Sequence, residues 1–364
     1  MPNDVIWKAD PHTLTKIEIL GRYLGAWYGI LGNTYGRVFY IDAFAGPGEY
    51  QGGIDGSPIV ALDKALNHAS LKNREATFWF VEENAERYNH LAELINQRTI
   101  PPNFDVNVWD NSNVEAMQKI LNTLAWNNGR TPTFAFIDPY GFKGVSMAQL
   151  HQLLKRPSCE IMVTHMVQFS NRFKDTPEFE THLDAFYGTR VWREAPAQGR
   201  SFLADLFRQQ LEKQARFTWS FRVIDRKNQH LYDLVFATNH LTGLARMKEA
   251  MASKTLEGPY RMSDRTAWQS TLFSFWDDIT PLKEQLQQAI DNCGECSSHE
   301  WCDGGLVHTD SRVKDIRHAL RELALDGVLT ITHRDGRPVR RGTAPSGSLI
   351  KVKKEEKHGD KNPD

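Results

Sequence analysis

The chain has 364 residues, enough for two or three domains and a substantial buried core. Its formal net charge of −1 gives no overall field that would mark a polyanionic partner, and no apolar run approaches the roughly 20 residues of a bilayer span. Residues 1–8 lack the basic segment and apolar stretch of a secretory signal, so the expected setting is cytosolic, with no membrane partner.

Residues 12–31 carry Leu14, Ile17, Leu20, Leu24, Trp27 and Leu31 at three- and four-residue spacings, which predicts an amphipathic helix. A β-type run at 38–43 leads into a glycine-rich loop at 45–56 that fits no regular element. Ser57-Pro58 reads as the N-cap and first residue of a helix reaching Leu66. Strand and helix then alternate: strand 77–81, helix 85–97, strand 106–109, helix 114–124, strand 133–137, helix 146–154 and strand 159–163. That alternation predicts a parallel sheet covered by helices on both faces.

Residues 168–217 turn helical and aromatic, with Phe169, Phe173, Phe179, Phe186, Tyr187, Trp192 and Phe202. They read either as packing for a helical subdomain or as an insertion beside the substrate side of the sheet. Strands at 220–225 and 232–238, joined by a short link, should pair antiparallel and close the sheet. The tail predicts helices at 282–290 and 312–325, then strands at 328–333 and 349–352 around a basic loop, the order of a winged helix. Between 311 and 358 stand twelve Lys or Arg against six Asp or Glu. The expected organisation is a helical segment 1–36, an α/β domain 37–255, a linker 256–278, a winged helix 279–353 and a disordered tail 354–364.

Three strands end in carboxylates. The first runs into Asp42-Ala-Phe-Ala-Gly-Pro-Gly48, the second ends at Glu82, and the third at Asp138-Pro-Tyr-Gly141. Acids at neighbouring strand tips, the first at a glycine turn, are what a sheet needs to hold a nucleoside cofactor at its carboxyl edge. A dinucleotide would want G-x-G-x-x-G opening into a helix, yet Gln51 stands where the third glycine belongs. A P-loop is absent as well. The pattern favours S-adenosylmethionine, with Asp42, Ala45, Gly46 and Gly48 near its amino-acid portion, Glu82 on the ribose hydroxyls and Asp110 on the adenine amino group. The expected fold class is therefore α/β, a Rossmann-like class I methyltransferase sheet, mostly parallel with one antiparallel strand.

Asp138, Pro139 and Tyr140 sit where the transferable methyl would point. A carboxylate and a backbone carbonyl that accept amino hydrogens, beside a stacking ring, suit methylation of an exocyclic amine. The order D-P-aromatic-G leaves the substrate open. C5-cytosine chemistry needs a cysteine that does not follow Pro139.

With Lys16 in the opening helix, Gly56-Ser-Pro58, Phe80-Val-Glu82 and a late winged helix, these blocks make the chain resemble the three-Cys-motif partner family (TcmP). The resemblance implies a methyltransferase-like domain that works beside a separate three-cysteine protein resembling radical-SAM enzymes. The cysteines of the family name belong to that partner. Cys293, Cys296, His299 and Cys302 lie within ten residues, too close for the usual two-knuckle zinc site, and read as thiols in a surface loop, not a metal site. Arg312, Arg334, Arg337, Arg340 and Arg341 are candidate contacts to DNA or RNA phosphates. His165, Gln168, Asn171 and Arg172 are candidate pocket residues. The leading expectation is a methyltransferase acting on a nucleic-acid base; its rivals are a non-catalytic scaffold for the partner protein and a DNA-binding regulator with a ligand-sensing domain.

Overall fold

A computed structural model describes residues 4–125, 130–168, 172, 176–195, 201–225, 227–254, 261–263, 278–293, 295–340, 343–345 and 348–352. The chain forms two compact units, 1–271 and 272–364.

The first unit is built on an eight-stranded sheet. Helix α1 (Pro11–Thr34) leads into β1 (Arg37–Asp42), followed by a two-residue hairpin of β2 (Glu49–Tyr50) and β3 (Ile54–Asp55). Then come α2 (Ser57–Leu66), β4 (Glu75–Val81), α3 (Ala85–Asn96), β5 (Phe104–Trp109), α4 (Asn113–Ala125), β6 (Thr133–Ile137), α5 (Met147–Leu154) and β7 (Cys159–His165). Helices α6 (Glu180–Tyr187) and α7 (Phe202–Glu212) precede β8 (Phe217–Ile224), β9 (His230–Thr238), α8 (Leu241–Ala252) and β10 (Arg261–Ser263).

Across the sheet the order is β5-β4-β1-β6-β7-β9-β8-β10. Among the described strands only β9 runs against the rest, pairing antiparallel with both β7 and β8. The chain leaves β1 towards β4 and β5, then returns to β6 on the other flank, so a crevice opens at β1, where the strand order reverses. This is the Rossmann-like sheet of class I methyltransferases, with its single reversed strand. The central strands β6 and β7 are buried along their whole length, as parallel strands covered on both faces must be.

Alternation along the strands sorts their side chains. Phe39, Ile41, Trp79, Val81, Ala135, Ile137, Ile161 and Val163 pack into one core with α4 to α7. The intervening Tyr40, Phe134 and Phe236 face α1, where Tyr23 meets the rings of Phe134 and Phe236 at 5.2 Å each. At about 1.5 Å per residue, the 24 residues of α1 span roughly 36 Å, enough to reach from one edge of the sheet to the other.

Phe186, Tyr187 and Trp192 of the 168–217 segment are buried in the first core, so the described aromatics there pack the sheet's cover. Phe169 and Phe173 lie outside the described residues. Helix α8 and strand β10 were not anticipated, and β10 falls inside the stretch read as linker. A three-residue strand and a helix with its apolar face diluted by Thr242, Arg246 and Glu249 give little periodic signal.

The second unit runs α9 (Thr280–Cys293), β11 (Glu295–Ser297), α10 (Ser298–His308), α11 (Val313–Leu325), β12 (Leu329–Thr332) and β13 (Leu349–Val352). Its three strands form an antiparallel sheet in the order β11-β13-β12. Helix α10 starts at a capping box, in which Ser297 Oγ accepts from the Glu300 amide at 3.2 Å and Glu300 Oε2 from the Ser297 amide at 2.6 Å. Cys302 lies on this helix and is 4% exposed, and burial raises its thiol pKa. It is a core residue, not the loop thiol expected from sequence. The side chains of Cys293, Cys296 and His299 lie outside those described. Among the described residues no group of His, Cys, Asp and Glu is arranged to hold a metal, and no helix is long and apolar enough to cross a membrane.

Candidate functional site

The carboxyl edge of the sheet gathers the acids. Asp42 ends β1 and pairs in register with Phe80 of β4 and Phe136 of β6, so Glu82 and Asp138 project two residues beyond it on either flank. Asp110 follows Trp109, which pairs with Val81, one strand further out. Glu83, the neighbour of Glu82, is exposed and faces away.

Asp138 is the centre of the arrangement. Lys16, a buried lysine of α1, donates from Nζ to Asp138 Oδ2. Asp138 Oδ1 is buried without a hydrogen-bond partner. Lys16 Nζ also lies 5.5 Å above the ring of Tyr232, whose hydroxyl donates to the His12 carbonyl at 3.0 Å. Pro139 is buried, and its carbonyl accepts from the Gly141 amide at 3.0 Å, across a tight turn where Gly141 adopts φ +108°. That turn sends Tyr140 outwards, 54% exposed.

Asp42 is fully buried. Burial, helped by the charge of Asp138, lifts its pKa to about 7, against the pull of Ser57, the Phe44 amide and Lys16. The Phe44 amide donates to Oδ1 at 3.3 Å, and Oδ2 has no hydrogen-bond partner. Ser57 was expected as a helix cap. The structure puts Gly56 at the cap with no side-chain bond, and the Ser57 hydroxyl serves Asp42 instead. Tyr50, on the hairpin, comes close enough to Asp138 and Asp42 that their charges add to burial in raising its phenol pKa.

The glycine loop is held from below. The Ala45 amide donates to the Val81 carbonyl at 2.9 Å, and the Gly46 amide to Glu82 Oε2 at 3.0 Å. Glu82 Oε1 accepts from the Asn84 amide at 2.9 Å, and burial raises the pKa of this carboxyl. The amides of Ala45 and Gly46 are therefore spent on the neighbouring strand. What the loop offers a ligand is the bare Cα of Gly46, at φ +65° with open space where a Cβ would stand. Gly48 is different: a Cβ there would meet Leu91 at 2.8 Å, so its role is close packing. The N-terminal segment straps the loop, since the Gln51 amide donates to the Trp7 carbonyl at 3.0 Å and Trp7 sits edge-on to Tyr50 at 5.7 Å.

His165 is buried, stacked at 4.6 Å on Phe207 and bonded to the Tyr187 hydroxyl at 2.9 Å, with its pKa pushed down to about 4 by burial. It is a core histidine, not a pocket residue. Gln168 is half-buried, facing Gln229 at 3.5 Å, and Arg172 is exposed, while Asn171 lies outside the described residues. In the second unit Arg312 is buried in a bidentate pair with Asp315, at 2.6 and 2.8 Å. It ties down the start of α11 and is not available at the surface. Arg334, Arg337 and Arg340 are exposed, Arg337 bonded to Asp335 at 2.8 Å, and Arg341 lies outside the described residues. Lys16, Ser57 and Tyr50 were not foreseen in these contacts; only a buried-type position for a lysine on an apolar helix face could have flagged Lys16.

No family model matches the chain, and no curated protein matches it. Among solved structures it is similar to Trm1 from Pyrococcus horikoshii, solved with S-adenosyl-L-methionine, at 11% identity over 69% of this chain and 61% of that one, with a TM-score of 0.36. It is also similar to human methyltransferase-like protein 13 in complex with SAH, at 11% identity over 75% and 99% of the two chains, with a TM-score of 0.35. A putative O-methyltransferase from Klebsiella pneumoniae aligns at 14% identity over 60% and 80%, with a TM-score of 0.33. Likenesses this slight carry no argument; strand order and direction give the fold.

Proposed function

We propose that the protein is an S-adenosylmethionine-dependent methyltransferase acting on an exocyclic amino nitrogen of a nucleic-acid base. The observation that carries this reading is Asp138: one oxygen is gripped by Lys16 while the other is buried and unpartnered at a strand tip beside Asp42 and Glu82.

The residues present fit the cofactor. Asp42 Oδ2 is an orphaned buried acceptor suited to the ammonium group, the free lone pairs of Glu82 suit the ribose hydroxyls, and Asp110 is exposed for the adenine amino group. The open face of Gly46 leaves room for close approach. Bound there, S-adenosylmethionine supplies an electrophilic methyl group on a sulfonium.

The protein's own contribution is alignment and proton handling. Asp138 Oδ1 would accept a hydrogen bond from the target amine and take the proton that the nitrogen gives up when it is methylated. Lys16 fixes the rotamer of Asp138 and supplies its counter-charge. One lone pair of the Pro139 carbonyl is spent on Gly141, and the second stays available to the other amino hydrogen. Tyr140 offers an exposed ring on which a planar base stacks.

The second unit has the helix-strand-helix-helix-hairpin order of a winged helix, and we read it as one. Lys314 and Arg321, exposed on α11, and Arg334, Arg337 and Arg340 of the hairpin would contact phosphates. The motifs of the acid edge also resemble those of the three-Cys-motif partner family, and in our reading a three-cysteine radical-SAM-like protein would be the partner. A scaffold role remains the second reading, because the Ala45 and Gly46 amides already hold the loop in shape without a ligand.

Calorimetry with S-adenosylmethionine, then incubation with labelled cofactor and mixed DNA and RNA, tests the proposal. Binding with base-specific label transfer is expected. No cofactor binding would leave the scaffold reading; binding without transfer to nucleic acid would remove the substrate assignment.

A further inference from the structure

The opposite, amino edge of the same sheet holds a cavity of about 220 Å³. Its wall is one face of the second half of α1, Tyr23, Trp27, Ile30, Leu31 and Thr34, closed by Pro132 and Ser158 before β6 and β7 and by the first turns of α8. Glu160, the second residue of β7, reaches it and is 5% exposed. The site needs neither the acid edge nor a cofactor.

Glu160 is hydrogen-bonded but makes no ion pair among the described residues; His240, on the cavity wall, pulls on its charge only from beyond contact distance. Oε2 accepts from the Tyr23 hydroxyl at 2.6 Å and from Trp27 Nε1 at 2.8 Å, and Oε1 from the Thr238 hydroxyl at 2.6 Å. These partners fix the direction of donation. Trp27 Nε1 has a proton to give and no lone pair to receive one. Thr238 Oγ1 already accepts from the His240 amide at 3.0 Å, so its own proton points at Glu160. The set is built for an ionised carboxylate. Yet among the described residues no lysine or arginine pairs with it; Arg246, at the cavity mouth, is bonded to Glu249 at 2.8 Å. Burial raises the pKa of Glu160 against the pull of its hydrogen bonds and of His240, the mark of a charge whose desolvation is not fully offset.

The backbone is shaped around this oxygen. A Cβ at Gly243 would fall 2.0 Å from Glu160 Oε1, so only glycine lets the first turn of α8 lie against it. The positive end of that helix favours the ionised form, but amounts to about half a charge.

We propose that this cavity binds a small organic cation, a primary amine carrying a single ring, whose ammonium completes Glu160 and whose ring lies between Trp27 and Leu31. The cation requirement comes from the unbalanced carboxylate, and the aromatic walls add cation–π attraction. The ring requirement comes from size, since an apolar cavity of about 150 Å³ accepts benzene and this one has room for an aminomethyl arm.

The test is calorimetric titration of the full chain, without S-adenosylmethionine, with benzylamine and with benzyl alcohol as its neutral isostere. Benzylamine should bind at least about tenfold more tightly than the alcohol. Thr34→Trp, on an exposed position of the last turn of α1, should fill the cavity and abolish binding while the unfolding midpoint stays put. Glu160→Gln should remove the preference for the amine; if that variant does not fold, Thr34→Trp alone decides occupancy and the isostere pair decides charge. Equal binding of amine and alcohol, binding that survives Thr34→Trp, or no binding of benzylamine at millimolar concentration would each overturn the proposal.

Discussion

Asp138 and Glu160 stand at opposite edges of the same sheet, beyond the end of β6 and at the start of β7, and α1 reaches both, yet they are satisfied in opposite ways. Asp138 has a cation, Lys16, and an oxygen with no hydrogen bond. Glu160 has three hydrogen bonds and, among the described residues, no ion pair, only the more distant pull of His240. A buried carboxylate needs both kinds of compensation, and what each lacks defines what it would accept: a neutral N–H at one edge, a charge at the other. One helix thus sets the chemistry of two pockets, through a lysine near its start and an aromatic pair two turns on.

The contrast breaks most sharply at the acid edge. Asp138→Ala should cut methyl transfer by about 10³-fold while S-adenosylmethionine affinity changes by less than about threefold, read by single-turnover label transfer beside calorimetry. Unchanged transfer would remove Asp138 from the chemistry. Lys16→Met leaves a part-buried carboxylate without its cation, so it should cost about 2–3 kcal/mol in denaturant unfolding, and transfer should fall along with stability. If stability holds, the ion pair does not position Asp138.

The next effect is on pH. The Asp42 pKa lies near 7 in the folded chain, against an ordinary 3.8. Between those values only the folded state keeps the proton, so stability from this group is full at low pH and declines as pH rises towards 7. A cationic cofactor prefers the ionised form, so its affinity should climb between about pH 6 and pH 8. Asp42→Asn should flatten both trends, and an affinity that falls over that interval would place the ammonium elsewhere. The smallest effect separates two glycines. Gly46→Ala should cost about 1 kcal/mol of stability, from its positive φ alone, but weaken cofactor binding. Gly48→Ala, which drives a methyl into Leu91, should destabilise more and act on binding only through the fold.

The acid-tipped strands were readable because two physical signals coincide there, a fully apolar β run and a carboxylate at its end. Asp42, Glu82 and Asp138 arrive at one edge because β4 and β6 flank β1. What escaped the sequence were residues whose partner is distant along the chain. Ser57 before a proline fits a cap, but its hydroxyl is claimed by Asp42, which no local rule anticipates. His165 follows an apolar strand like a pocket residue, but its imidazole is absorbed between Phe207 and Tyr187. Arg312 counts as surface charge in any composition tally, and only the fold shows Asp315 neutralising it. Glu160 gave no signal, because an acid inside a strand reads as a solvated face until the helix that covers it is known.

The grip of Lys16 on Asp138 also bears on when the protein becomes competent during synthesis. Residue 16 must find residue 138, and its ammonium rests over Tyr232, whose hydroxyl holds the carbonyl of His12 across 220 positions. Closures that long are slow, and a fragment ending before β9 can pair Lys16 with Asp138 but lacks the Tyr232 contacts that hold the start of α1 in place. A nascent chain still on the ribosome would therefore carry the glycine turn and all three acids well before it could align a substrate. Activity would switch on late, when the reversed strand slides in.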